Sequence, residues 1–141
     1  MAMIEIRNSL RLEYDDSGTP PQLSDEQLNR AIARAVSAVN LNLERSYAVV
    51  DEDIVPVLDS DDEEVLITQA MVTVCAMMQS KTARNFSYSS GDKKVDKTKQ
   101  PDYWAKLGQI YEARYKEMVS ERNPAYGTET ELLTPVIYGN D

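Results

Sequence analysis

The side chains best suited to chemistry in this sequence are lysines, and the chemistry is ionic. Lys93, Lys94, Lys97 and Lys99 crowd into the stretch YSSGDKKVDKTKQPDYW, residues 88–104, of a 141-residue chain whose formal net charge is -9. Residues 81–99 carry six basic and two acidic side chains, a local +4 that leaves -13 for the remainder. An ammonium group on a flexible stem neutralises a carboxylate or a phosphate without fixed geometry. Such a cluster suits a docking surface for acidic protein or for a phosphate backbone, with an affinity that falls as salt rises. The competing reading of the same residues is a solvated turn. The net acidity argues against a general nucleic-acid binder, which presents a basic face.

Other chemistries find less support. The chain has no histidine, which removes the commonest general base and the commonest transition-metal ligand. Cys75 is the only cysteine and sits in an apolar helical run, where a buried, inert thiol is expected rather than a nucleophile. The acids of Asp51-Glu52-Asp53 and Asp59–Glu64 lack the sixth-position glycine and alternating spacing of an EF-hand, and helix capping accounts for Asp61–Glu64. Ser89–Lys94 lacks the GxxxxGK[ST] spacing of a phosphate loop. No metal, no cofactor and no catalytic centre is expected.

The elements that must position the lysines are helices. Residues 2–12 are weakly helical, and Asp15–Pro21 is a loop by composition. Ser24 and Gln27 form a capping-box signature, after which Leu28, Ile32, Ala35, Val36, Val39 and Leu43 recur at steps of three and four to about Arg45. Asn29, Arg30 and Arg34 fall on the outer face of that helix. Tyr47–Asp59, β-branched and interrupted by acids and Pro56, reads as an extended connection. Ser60 and Glu63 repeat the capping signature ahead of a helix over about 61–85, about 37 Å long at 1.5 Å per residue.

The middle of this second strong helix, from Val65 to Met78, is apolar nearly all the way round. A helix of that kind is either the central member of a bundle or is covered by a second subunit. The run is too short, and too interrupted by Thr68, Gln69 and Thr73, to span about 30 Å of hydrocarbon. The N-terminus lacks the basic n-region of a signal peptide, so synthesis in the cytosol is expected.

Pro101 suits the first turn of a further helix in which Trp104, Leu107, Tyr111, Tyr115 and Met118 form a core stripe, ending at Asn123-Pro124. Tyr88, in the basic loop, is the one plausibly exposed aromatic. The predicted architecture is therefore mainly all-α. It is a compact bundle of three to four helices over residues 1–122, with a basic loop or small hairpin before the last helix. Residues 123–141 form an extended C-terminal arm. That arm carries Leu132, Leu133, Val136, Ile137 and Tyr138, large apolar side chains that need cover and that suit strand addition to a neighbouring sheet edge.

Three features together carry a family resemblance: the capped helix from Ser24, the long apolar helix, and the loop Ser90-Gly91-Asp92-Lys93-Lys94-Val95-Asp96-Lys97-Thr98-Lys99-Gln100 leading into Trp104. Over roughly residues 4–122 the chain resembles the small head–tail connector, or adaptor, proteins of tailed bacteriophages. The resemblance implies a non-enzymatic helical bundle that assembles into a homo-oligomeric ring beneath the portal protein and extends the DNA channel towards a tail or stopper protein. It further implies a place in the virion at the head–tail junction, with DNA passing through without sequence-specific binding.

An acidic balance suits a channel that repels phosphates, and segregated charges suit head-to-tail contacts around a ring. On this reading Lys93, Lys94, Lys97 and Lys99 are subunit or portal contacts, and Leu132, Leu133, Val136, Ile137 and Tyr138 grip a neighbour. The alternative is a small helical DNA-binding or packaging protein. That alternative expects a tight turn between its helices and a basic recognition helix, whereas about fifteen residues join the first two strong helices and the most basic segment reads as a loop.

Overall fold

The computed structural model describes residues 1–16, 18, 20–88 and 94–126, with segments 85–88 and 94–100 as backbone only. The protein is mainly helical: α1 (Met3–Glu13), α2 (Asp25–Leu43), a hairpin of β1 (Ala48–Val50) and β2 (Asp53–Val55), α3 (Ser60–Tyr88) and α4 (Lys94–Arg122). The 29-residue α3 is the central member and packs against α4, α2 and α1. Its residues Val65, Leu66, Ala70, Met71, Val74, Cys75 and Met78 are buried, and Ile67, Val72 and Met77 are partly so. Of the two ways to cover such an apolar helix, the chain supplies the first from its own residues.

The capping box at Ser24 forms as its sequence predicts. The Ser24 hydroxyl accepts from the Gln27 N–H at 3.2 Å, and the Gln27 side chain accepts from the Ser24 N–H at 2.9 Å. Leu28, Ile32, Ala35, Val36, Val39 and Leu43 all face the core, while Arg30 and Arg34 are exposed and Asn29 half-buried. At the other end α2 stops at Glu44, which adopts the left-handed conformation (φ 57°) without being glycine. That turn swings Arg45 and Tyr47 towards the start of α3.

Four sequence expectations shift. Residues 3–13 make a full helix, because Met3, Ile6, Arg7 and Leu10 share one face and are buried on α2 and α3. Burial supplies what local propensity lacks. The extended connection folds into a hairpin, closed by the two-residue turn Asp51–Glu52 with both residues at positive φ. The cap of α3 lies one residue earlier than Ser60: the Asp59 carboxylate accepts from the Asp62 N–H at 2.9 Å.

The last helix begins at Lys94, so Pro101 lies within it rather than at its first turn. Residues 94–100 contain neither Gly nor Pro. Pro101 deletes one helical hydrogen bond and crowds the Lys97 carbonyl four residues back, but the other bonds of the preceding turns can still form. Three of the four residues assigned to a basic loop, Lys94, Lys97 and Lys99, are therefore helical in backbone.

Along α4, Tyr111, Tyr115, Met118 and Val119 are buried, and Trp104 and Leu107 pack at the edge of the core. Gly108 marks the closest approach of α4 to α3, since a β-carbon there would stand 3.3 Å from the Cys75 Cβ. Gly108→Leu should test that approach. Leucine gains about 0.8 kcal/mol over glycine in helix propensity, so a net loss of stability, expected at about 1–2 kcal/mol from overpacking, reports the clash itself. Denaturant unfolding checks it, and unchanged stability would mean the two helices are not held at this spacing.

Candidate interaction surface

Two buried carboxylates organise the polar interior. Asp16, in the loop after α1, accepts from the Tyr14 hydroxyl at 2.8 Å and from the backbone N–H groups of Gln22 and Leu23 at 2.8 and 3.3 Å. Arg11 lies 3.9 Å away, and its guanidinium also donates to Asp25 at 2.9 Å and to the Leu23 carbonyl at 3.0 Å. Burial pushes the Asp16 carboxyl up, but these hydrogen bonds and the Arg11 charge outweigh it and hold the group below its ordinary value.

Asp62, in the first turn of α3, accepts from Arg45 Nε at 2.8 Å and the Tyr47 hydroxyl at 2.6 Å. Burial again raises its pKa, and the hydrogen bonds from Arg45 and Tyr47 again bring it below the usual carboxylate range. Burial, followed by the bond to Asp62, pushes the Tyr47 hydroxyl up to about 12, so it remains a donor throughout the neutral range. Each of these carboxylates accepts at least two hydrogen bonds from the protein itself, which makes both of them structural anchors.

Burial raises the Cys75 thiol to about 11, so it stays protonated beneath α4. Among the described residues, no three His, Cys, Asp or Glu side chains come together to hold a metal ion. No helix among them is long and apolar enough to cross a membrane.

The lysines and arm residues singled out by sequence stand apart from the described surface. Lys93 lies outside the described residues. Lys94, Lys97 and Lys99 occupy the first turns of α4 by backbone alone. Leu132, Leu133, Val136, Ile137 and Tyr138 also lie outside the described residues, as does the side chain of Tyr88. Asn123 and Tyr126, just past α4, belong to the bundle: Asn123 donates to the Asn42 carbonyl at 2.6 Å, and Tyr126 packs on the core.

The hairpin is the surface that sequence reading passed over. Ile54 is its one buried residue, and Val49, Val50, Val55 and Val57 are 40–79% exposed around it. The signal was present as two β-branched runs, Ala48–Val50 and Asp53–Val55, separated by two acids. Asp-Glu is a weak hairpin turn because neither residue favours positive φ as glycine does. Tertiary ties make the turn worthwhile: Arg7 reaches the Glu52 carboxylate at 3.4 Å, and the Met3 N–H donates to the Glu52 carbonyl at 2.8 Å. An Asn40 side chain clasps both the N–H and the C=O of Tyr47 at 2.9 and 2.8 Å, fixing where β1 begins.

Charge on the described surface is mixed along α4, where exposed Lys106, Arg114 and Lys116 alternate with Glu112, Glu117 and Glu121, and is acidic at the hairpin turn and the start of α3. The turn Asp51–Asp53 and the approach to α3 at Asp59, Asp61 and Glu64 are exposed acids. Exposed Arg34 and Arg84 flank a shallow groove between α2 and α3, floored by Ala76 and Met77. A search of protein-family models, of curated proteins and of solved structures finds no match to this chain.

The carboxylate anchors set an acid dependence of stability. Each has a folded-state pKa below its unfolded value, so its contribution is complete above about pH 4 and is lost as pH falls through the folded-state values. Asp62→Asn should destabilise the fold at neutral pH by about 1–3 kcal/mol, since it weakens two charge-assisted bonds, and should flatten the decline between pH 5 and 2. Thermal melts across that range decide it. A variant as acid-sensitive as the parent would remove Asp62 from this role.

Proposed function

We propose that the chain is a structural ring subunit of the head–tail junction of a tailed bacteriophage. It would bind the portal, repeat around the axis by contacts with its own copies, and extend the DNA channel to a tail or stopper protein without doing chemistry. The observation that carries this reading is the hairpin. A small protein leaves three valines of one hairpin, with Val57 just beyond it, in water chiefly where another molecule covers them. The acidic patch at the hairpin turn and the start of α3 supports the same reading, because a head-to-tail ring contact joins two different and complementary patches and the lysine-rich segment supplies the opposite charge. Exposed acids that repel phosphates suit a conduit through which DNA slides.

Because α3 is enclosed by its own chain, an over-apolar helix no longer argues for a second subunit, and the burden falls on the hairpin, the lysines and the arm. The reading assigns Lys93, Lys94, Lys97 and Lys99 to the portal or to the next subunit. It assigns Leu132, Leu133, Val136, Ile137 and Tyr138 to a grip on a neighbour.

The test is sedimentation of the chain alone and with the portal ring of the same phage, followed by electron microscopy of the heavy fraction. Co-migration as a stacked ring is expected. Replacing all four lysines by serine should leave helicity and melting temperature unchanged while abolishing co-migration. Unchanged co-migration would free the lysines of this role. A chain that stays light with portal in excess, yet shifts duplex DNA in a salt-dependent manner, would replace the connector reading with the DNA-binding one.

A further inference from the structure

We infer that the outer edge of β1 is an acceptor for Val136-Ile137-Tyr138 of a second copy, which add to the hairpin as a strand beside Val49. The inference rests on the ring-subunit reading for its choice of a second copy. Its geometry comes from the hydrogen-bond phase of the hairpin.

The register pairs Ala48 with Val55, Val49 with Ile54 and Val50 with Asp53 across the two-residue turn Asp51–Glu52. In a hairpin closed by two residues at positive φ, the pair next to the turn exchanges N–H···O bonds and the next pair does not. Val49 and Ile54 therefore direct their N–H and C=O groups away from each other, to the two outer edges. On the β2 side this requirement is met from within the chain. The Ile54 N–H donates to the Met1 carbonyl at 2.9 Å, and the Met1 ammonium donates to the Ile54 carbonyl at 3.1 Å. Ala2 forms an isolated antiparallel bridge with Asp53, so the residues just before α1 occupy the β2 edge.

On the β1 side no described residue bonds the corresponding groups of Val49. A bare strand edge is a template for another strand. This edge also has apolar side chains on both faces, Val49 on one and Val50 and Val55 on the other, 40–51% exposed. Beside Val49 a groove of about 490 Å³ opens along α2, with Met3, Ala33 and Arg30 in its walls.

The sequence beyond Tyr126 contains a segment of matching length and character. Val136-Ile137-Tyr138 is β-branched and aromatic, and it is bounded by Pro135 and Gly139, so it equals the three residues of β1. Proline cannot donate to a ladder and ends it on that side. With Ile137 opposite Val49, one N–H and one C=O from each chain complete the edge, and the neighbouring side chains cover the valines. Because donor segment and acceptor edge are different parts of one chain, the contact is heterologous and repeats from copy to copy, as a ring requires.

The experiment uses full-length chains. Val49→Pro deletes the outward N–H but no β1–β2 bond, so helicity and melting temperature should stay close to the parent; Val49→Thr keeps the N–H as a control. Ile137→Asp disables the donor. A labelled peptide of residues 131–141 should bind the Ile137→Asp chain, and Val49→Pro added to that chain should weaken it about tenfold, the effect of one lost edge hydrogen bond. In sedimentation, Val49→Pro and Ile137→Asp should each remain monomeric alone and form a one-to-one dimer when mixed, since each retains the half the other lacks.

Peptide that fails to bind, or binds regardless of Val49→Pro, overturns the acceptor. Peptide binding without a mixed dimer places the chain's own arm on the edge and overturns the second copy. Rings that form with portal from the Val49→Pro chain would refute this inference and leave the connector reading standing. A mixed dimer without any portal-bound ring would do the reverse.

Discussion

Between Val65 and Met78 the helix α3 is apolar on all but a narrow stripe at Gln69, Thr73 and Ala76, and that constraint arranges the rest of the molecule. Its buried side chains contact α1, α2 and α4, so no two of those helices could enclose it alone. Burying the apolar side chains of one such helix is worth roughly 1.5–3 kcal/mol each. These terms are large against the few kcal/mol that separate folded from unfolded chains. The partners are amphipathic where α3 is not: α2 gives it Leu28, Ile32, Ala35, Val36 and Val39, and α4 gives it Tyr111, Tyr115 and Val119. Gly108 then lets α4 come close enough for its backbone to lie against Cys75.

Hydrophobic enclosure alone does not fix direction or register, because apolar surfaces slide. Polar contacts between elements do that. Asp62 ties the start of α3 to the turn after α2 through Arg45 and Tyr47, and Asp16 pins the loop that reverses the chain between α1 and α2. Arg7 joins α1 to Asn29 of α2 at 2.8 Å, Asn42 joins α2 to the Tyr115 hydroxyl of α4 at 2.7 Å, and Tyr111 reaches Glu13 of α1 at 3.1 Å. Each is a buried or half-buried donor matched to one acceptor, so a shifted register would leave both unsatisfied. The acids that look abundant and interchangeable in sequence thus divide into two groups. Asp16, Asp62 and the capping Asp59 hold the fold, and Asp51, Asp53, Asp61 and Glu64 remain outside as a charged surface.

The hairpin stands between these roles. Its inner residue, Ile54, belongs to the core, and its β2 edge is closed by the first residues of the chain. Its β1 edge and its valines face outward. Among the described residues, the small sheet is finished on one side only, so its free strand edge lies at one place. That edge links the fold to assembly more directly than the apolar helix does, since α3 is already covered.

The amino-acid sequence by itself determined the helices that carry their own signals. The Ser24 capping box, the three-and-four spacing from Leu28 to Leu43 and the aromatic stripe of α4 are local patterns, and local backbone physics reads them without help. The burial of Cys75 and the single mainly helical architecture were legible for the same reason. Only the tertiary structure decided the rest. It made α1 a helix because α2 and α3 cover one of its faces. It moved the cap of α3 to Asp59 because that register places Asp62 against Arg45 and Tyr47. It extended α4 through Pro101, and it turned a stretch of β-branched residues into a hairpin because Met1, Met3 and Arg7 meet it from the far end of the sequence. Contacts separated by some fifty residues leave no trace in a local window, and those contacts placed the exposed edge of β1 where it is.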